Sequence, residues 1–207
     1  MLQAFLLEDL IEAGCDEAGR GCLAGPVVAA AVILPKNFHN NLLNDSKQTK
    51  VKDREALRLI IEKEALAFGV AFVDNNKIDE INILKASILA MHLALDQLSL
   101  RPEHLIIDGN IFYRYEDIPH QTIVKGDGKY ASIAAASILA KTYRDEFMMK
   151  AHEQHPDYAW NKNMAYATKL HRAAIATFGV TSLHRRSFRL LADRKTKSLF
   201  NDLDHKI

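Results

Sequence analysis

The sequence predicts an α/β domain with a mixed sheet. Three observations carry this: short apolar runs of strand length alternate with helical patterns, two of those runs lead into an acid beside a glycine, and no repeat or linker divides the chain. Residues 26–34, Pro-Val-Val-Ala-Ala-Ala-Val-Ile-Leu, form a continuous apolar run closed by Pro35, the pattern of a buried strand. Residues 53–68 turn helical, with Leu57, Ile60, Ile61, Ala65 and Phe68 on one face, and Gly69 reads as the stop. Residues 70–73 suit a short strand, and a second helix is expected over 84–98, where Leu84, Ile88, Met91, Leu95 and Leu98 recur at helical spacing.

Leu105, Ile106 and Ile107 make a compact apolar run that delivers Asp108, followed by the turn pair Gly109-Asn110. Ile123 and Val124 repeat the device and deliver Lys125-Gly126-Asp127-Gly128-Lys129. The small-residue stretch 132–141, Ser-Ile-Ala-Ala-Ala-Ser-Ile-Leu-Ala-Lys, is read as a helix packed closely against a neighbour, running to about 149 and closed by His155-Pro156. Beyond Trp160 the chain is polar and basic, with a helix near 170–178 stopped by Gly179 and a further basic helix from about His184. The last dozen residues are expected to fray. We therefore expect an α/β unit over 1–155 and a basic, mainly helical region over 156–207 packed on it as one continuous structure.

Composition narrows the function classes. At 207 residues and 48% hydrophobic content a core forms without staples. The longest apolar run is too short to span a bilayer, and the N-terminus lacks a secretory pattern, so a cytoplasmic protein with no membrane partner is expected. Cys15 and Cys22 have no second cysteine pair with which to build a zinc site and are read as reduced, partly buried thiols. The net charge of +1 argues against an indiscriminate polyanion binder, yet residues 160–197 hold nine bases against the single acid Asp193. That local +8 leaves −7 for the rest: an electropositive footprint beside clustered acids.

The acids that stand out are Asp16, Glu17, Asp108 and Asp127, all close to glycines. Strands deliver such acids to one end of a sheet, and glycines leave room above them. Taken singly, Asp-Gly is a common turn pair and Asp-Glu a solvated one. Brought together, carboxylates repel, and a hard divalent cation such as Mg2+ or Mn2+ resolves the conflict with oxygen ligands. Two such ions, about 3.5–4 Å apart, support phosphodiester hydrolysis. Neighbouring residues of a regular strand point to opposite faces, so Asp16 and Glu17 require a strand end or bulge at Ala18-Gly19 to serve one site.

The string Gly14-Cys15-Asp16-Glu17-Ala18-Gly19-Arg20-Gly21, followed by Ala24-Gly25-Pro26-Val27, resembles the opening signature of the type 2 ribonuclease H (ribonuclease HII) family. The resemblance continues in order through Asp45-Ser46-Lys47, Ile107-Asp108-Gly109-Asn110, Lys125-Gly126-Asp127, 132–141 with Arg144-Asp145, and His184-Arg185-Arg186-Ser187-Phe188. It implies a ribonuclease H-like fold, a central mixed five-stranded sheet flanked by helices with a C-terminal helical region gripping the duplex. It also implies cleavage, in RNA–DNA hybrids and at single ribonucleotides in duplex DNA, that leaves 3′-hydroxyl and 5′-phosphate ends. Asp16, Glu17, Asp108 and Asp127 would then be the catalytic metal ligands. Gly19, Arg20 and Gly21 would contact the 2′-hydroxyl, and Tyr166 the deoxyribose after the ribonucleotide. Here the chain departs from the family pattern, reading Met164-Ala165-Tyr166-Ala167-Thr168 where the family usually has glycines beside the tyrosine.

Ser46, Lys47, His184 and Arg185 are further candidates for substrate binding, with capping of a helix the alternative for the last two; Lys125 is a candidate for holding phosphate, and Lys141 and Arg144 serve either phosphate or structural pairing. A monomer is expected, with Ser198-Leu199-Phe200 a weak apolar candidate for a sliding-clamp contact. The rivals are a type 3 ribonuclease H, disfavoured because Asp16-Glu17 falls so near the start, a DNA-only nuclease of this fold, disfavoured by Gly19-Arg20-Gly21, and a non-catalytic hybrid-binding module. The intact acids argue against the last, since losing them would improve polyanion binding.

Overall fold

A computed structural model describes residues 2–40, 42–43 and 51–191. The strand that organises it has the least strand-like sequence. β1 (Glu12–Ala18) is built from Gly, Ala, Asp and Glu, poor strand formers, and no periodicity in it marks a strand. Ladders on both sides hold it: β2 (Val27–Ile33) runs antiparallel to it, and β4 (His104–Asp108) parallel. β3 (Ala67–Val73) and β5 (His120–Ile123) complete a five-stranded mixed sheet of order β3-β2-β1-β4-β5. At the start of β1 the buried Glu12 carboxylate accepts the N–H groups of Leu6 and Leu7 and pairs with His104 at 2.9 Å.

Helices cover both faces. α3 (Ile83–Leu95) lies on the face that carries Ala13, Cys15, Ala29, Ala31, Leu105 and Ile107. α4 (Ala131–Gln154) lies on the other, packing Ala134, Ala135, Ile138 and Leu139 against Ala30 and Val32, with Leu57 and Ile61 of α1 (Val51–Glu64) closing the layer. The small residues of α4 have a clear purpose, because the helix backbone rests directly on β1: a Cβ on Gly14 would lie 2.4 Å from Ile133 N. A third core gathers Cys22, Leu23 and Ala24 with Met148, Tyr158, Trp160, Ala165 and Ile175, and ties α5 (Trp160–Asn163) and α6 (Lys169–Phe178) to the sheet end. Each large aliphatic side chain fully buried here contributes about 1.5–3 kcal/mol.

Three sequence expectations change. The first helix ends at Glu64, so Phe68 and Gly69 belong to β3, and Gly69 is no helix stop. Its missing side chain admits α3, since a Cβ there would sit 2.1 Å from Ala94 O. A short helix that the sequence pattern does not announce, α2 (Asn75–Ile81), follows β3; Asp74 caps it by accepting from Lys77 N. The helix expected from about His184 is absent through Leu191. Instead His184 bridges to Ala24, and Asp79 of α2 accepts the N–H groups of Arg186 and Ser187. Both cysteines are free and buried, as expected. Among the described residues no helix is long and apolar enough to cross a membrane. Ser46, Lys47 and the segment 198–200 lie outside the described residues.

Candidate active site

The parallel register of β1 and β4 builds the site. The pairing ends at Cys15 and Ile107, so the next residues, Asp16 and Asp108, stand side by side at the strand ends, both on the α4 face. Glu17 starts from the opposite face, because it pairs with Ala29, whose side chain meets α3. There is no bulge: β1 pairs with β2 residue for residue up to Ala18, and the strand end alone brings Glu17 into the same cleft. That cleft, about 250 Å³, is lined by Asp16, Glu17 and Asp108, by residues 18–21, by Ser137 and Lys141 of α4, and by Tyr166.

The acids are held in distinct ways. Asp16 is 5% exposed, and its Oδ1 accepts the Glu17 N–H at 2.7 Å. Burial, then the charges of Glu17 and Asp108, hold its carboxyl well above the usual carboxylate range, opposed by a hydrogen bond from Ser137. Glu17 pairs with Arg20 at 3.1 Å. Asp108 Oδ1 accepts the Gly126 N–H at 2.6 Å, which ties it to the 3-10 turn Gly126–Gly128 in which Asp127 is buried. Asp127 does not itself line the cleft. Among the described residues no three His, Cys, Asp or Glu side chains are already drawn into a ligand geometry. The donor set still suits a hard cation: three carboxylates share one cleft, and the crowding that raises Asp16 is what a divalent ion relieves.

Ser137 is a site residue that the motifs do not single out. The signal lay in the helix: Ser137, Lys141 and Arg144 follow at spacings of four and three, and so share one helix face, beginning within the small-residue stretch. Lys141 lines the cleft and also pairs with Asp145.

Two buried arginines shape the loop above the acids. Arg144, 1% exposed, donates Nε to Pro26 O, Nη2 to Ala24 O and Nη1 to Met164 O at 3.0–3.2 Å. Gly19 has φ +97°, and a Cβ there would lie 2.0 Å from Arg144 Nε, so only glycine fits. Arg185 donates to Gly25 O, Arg20 O and Pro26 O, each at 3.0 Å. Burial, with Arg144 nearby, pushes its guanidinium down to about 10. The expectation that His184 and Arg185 bind the duplex is thereby corrected: both are buried, and their nitrogens are occupied within the protein. The Arg185 guanidinium is the right type of group for a polyanion, but stranded loop carbonyls claim it first. Tyr166, 42% exposed, projects into the cleft while its backbone bridges Cys22 beside the glycine loop.

A mixed sheet of this order, with acids at the ends of its central parallel strands and helices on both faces, defines a nuclease of the ribonuclease H-like class. A model of the ribonuclease HII family matches residues 13–191. A ribonuclease HII of Bacteroides thetaiotaomicron is 68% identical over 193 residues, 93% of this chain and 96% of that one. Among solved structures, the ribonuclease HII in the PCNA complex of Archaeoglobus fulgidus aligns with a TM-score of 0.73 at 28% identity, covering 89% of this chain and 98% of that one. Bst-RNase HIII in complex with Mn2+ shares the fold, with a TM-score of 0.72 at 20% identity, over 86% of this chain and 67% of that one. The chain belongs to the ribonuclease HII family, and so is a ribonuclease H that hydrolyses RNA in RNA–DNA hybrids.

Proposed function

We infer that the chain cuts endonucleolytically both the RNA strand of hybrids and the 5′ side of single ribonucleotides in duplex DNA, leaving 3′-hydroxyl and 5′-phosphate ends. The observation that carries this reading is the shared cleft, in which Asp16, Glu17 and Asp108 face the loop Gly19-Arg20-Gly21 and Tyr166. Asp16, Glu17 and Asp108 would be the principal metal ligands, and Asp127, in the turn that holds Asp108, would complete the site and help to position the water. Mn2+ or Mg2+, held as a pair, would supply charge neutralisation and an activated water. Mn2+ is the ion in the Bst-RNase HIII complex, a relative in fold.

The chain's own residues do the recognising. The left-handed turn at Gly19 opens backbone to a ribose, and the 2′-hydroxyl is what separates RNA from DNA. Tyr166 offers a half-exposed ring to the sugar that follows. Exposed Lys162, Lys169, Arg186 and Arg189 remain as the duplex-facing part of the basic stripe. The domain reading follows: residues 1–155 as the catalytic unit, and 156–191 as a region joined to it by the third core.

The test is incubation with Mn2+ or Mg2+ of a DNA duplex carrying one ribonucleotide, beside an all-DNA control. Cleavage confined to the ribonucleotide is expected; cleavage of both duplexes, or of neither, overturns the reading.

A further inference from the structure

We propose that His171, buried and out of reach of substrate, is the positioning residue that sets Tyr166 in the cleft, through a hydrogen bond from its Nδ1–H to the Tyr166 carbonyl. This rests on Tyr166 being the side chain that meets the sugar after the ribonucleotide.

The tautomer follows from the partners. An indole N–H only donates, and Trp160 Nε1 lies 2.9 Å from His171 Nε2, so that nitrogen carries the lone pair. The proton of a neutral ring is then on Nδ1, 3.0 Å from Tyr166 O. His184 agrees: its Nδ1 accepts the Thr181 N–H at 2.9 Å, which leaves its proton on Nε2, 3.3 Å from His171 Nε2. Trp160 and His184 thus both aim an N–H at the single Nε2 lone pair of His171, Trp160 from the shorter distance, and His171 donates its Nδ1–H to the Tyr166 carbonyl. Burial favours the neutral form of both imidazoles.

The backbone before Tyr166 needs such support. Met164 (φ +46°) and Ala165 (φ +62°) are both left-handed, a conformation disfavoured for residues with a side chain. Other bonds hold those two: Arg144 Nη1 reaches Met164 O, Asn163 Oδ1 accepts the Ala165 N–H, and Leu23 N–H reaches Ala165 O. On Tyr166 itself, the carbonyl is held by the His171 ring and by the Thr168 N–H. Strain stored beside a cleft residue, and buried groups that over-determine it, is the pattern of a positioned functional group.

The experiment compares kcat/KM on duplex DNA with one ribonucleotide against kcat/KM on a continuous RNA–DNA hybrid, and reads their ratio. His171→Gln keeps an acceptor for Trp160 but loses the donor to Tyr166 O; His171→Asn keeps a donor at the Nδ1 position and loses the Trp160 contact. The Gln variant should lower the ratio roughly tenfold, the effect of one lost buried hydrogen bond, and the Asn variant should hold it within about twofold. Tyr166→Ala should lower the ratio as well, and His171→Gln added to it should lower it no further. If Tyr166→Ala leaves the ratio unchanged, the reading of Tyr166 fails. If it falls there but not in His171→Gln, or if Gln and Asn lower both substrates equally with Tm, the positioning proposal is overturned. The unmodified protein gives an independent check: imidazole 15N resonances should report the Nδ1–H tautomer at His171, and the Nε2–H form would refute that donation.

Discussion

Replacing Gly14 with alanine should disable the enzyme without removing a polar group. The new Cβ would lie 2.4 Å from both Ile133 N and Ser132 C, and 2.6 Å from Ser132 Oγ. Ordinary contact begins near 3.4 Å, so about 1 Å must be found. β1 cannot retreat, because β2 and β4 bond it on both sides. α4 must therefore lift, and its Ser137, Lys141 and Arg144 move with it. Overpacking of this kind costs about 1–3 kcal/mol, and against backbone the upper half of that range is expected. For a chain of this size that lowers Tm by roughly 5–10 °C. A displacement near 1 Å at the site should also lower kcat/KM on an RNA–DNA hybrid by about 10²-fold. Gly128→Ala is the control, since nothing lies within 4 Å of the place its new methyl group would take, and its stability should change by under about 0.5 kcal/mol. A Gly14→Ala protein with unchanged Tm and activity would refute the claim that helix and strand backbones touch there.

Three further outcomes are expected. Asp16→Asn should abolish cleavage yet raise Tm in chelator, because it removes a buried charge crowded by Glu17 and Asp108; thermal shift with and without Mn2+ checks both this and the loss of metal-induced stabilisation. Arg185→Leu should cost about 3–5 kcal/mol by denaturant titration, removing the guanidinium donor from the carbonyls of Arg20 and Gly25 and leaving Pro26 O to Arg144 alone, while the salt dependence of substrate binding stays unchanged; Lys169→Ala should do the reverse, reducing the salt slope by about one. Stability should fall as pH drops from 6.5 towards 4: burial, with His171 and His155 close by, pushes His184 down to about 4, so between those values the unfolded chain binds the extra proton. Denaturation midpoints across that range should decline, by at most about 3 kcal/mol from this group, and His184→Gln should flatten the profile.

Much of this molecule was legible in its sequence, because much of it is local. Strand runs ending on Asp108 and in the loop of Asp127, and a helix of small residues over 132–141, need only periodicity and neighbours to be read. The ordered motifs also point to the family, and with it to the acids. Tertiary structure decided the rest. β1 is a strand only because ladders flank it, and its register with β4, not any local signal, sets Asp16 beside Asp108. Gly69 has the same letter as a helix stop, but it makes room for Ala94 O. The basic stripe shows the limit most clearly: Arg185 and Arg186 are adjacent, yet one is buried under the glycine loop and the other exposed. Sequence gives a side chain its charge and reach. Whether that charge meets a phosphate or a stranded carbonyl depends on which backbone groups the fold leaves unpaired nearby, and those lie far away along the chain.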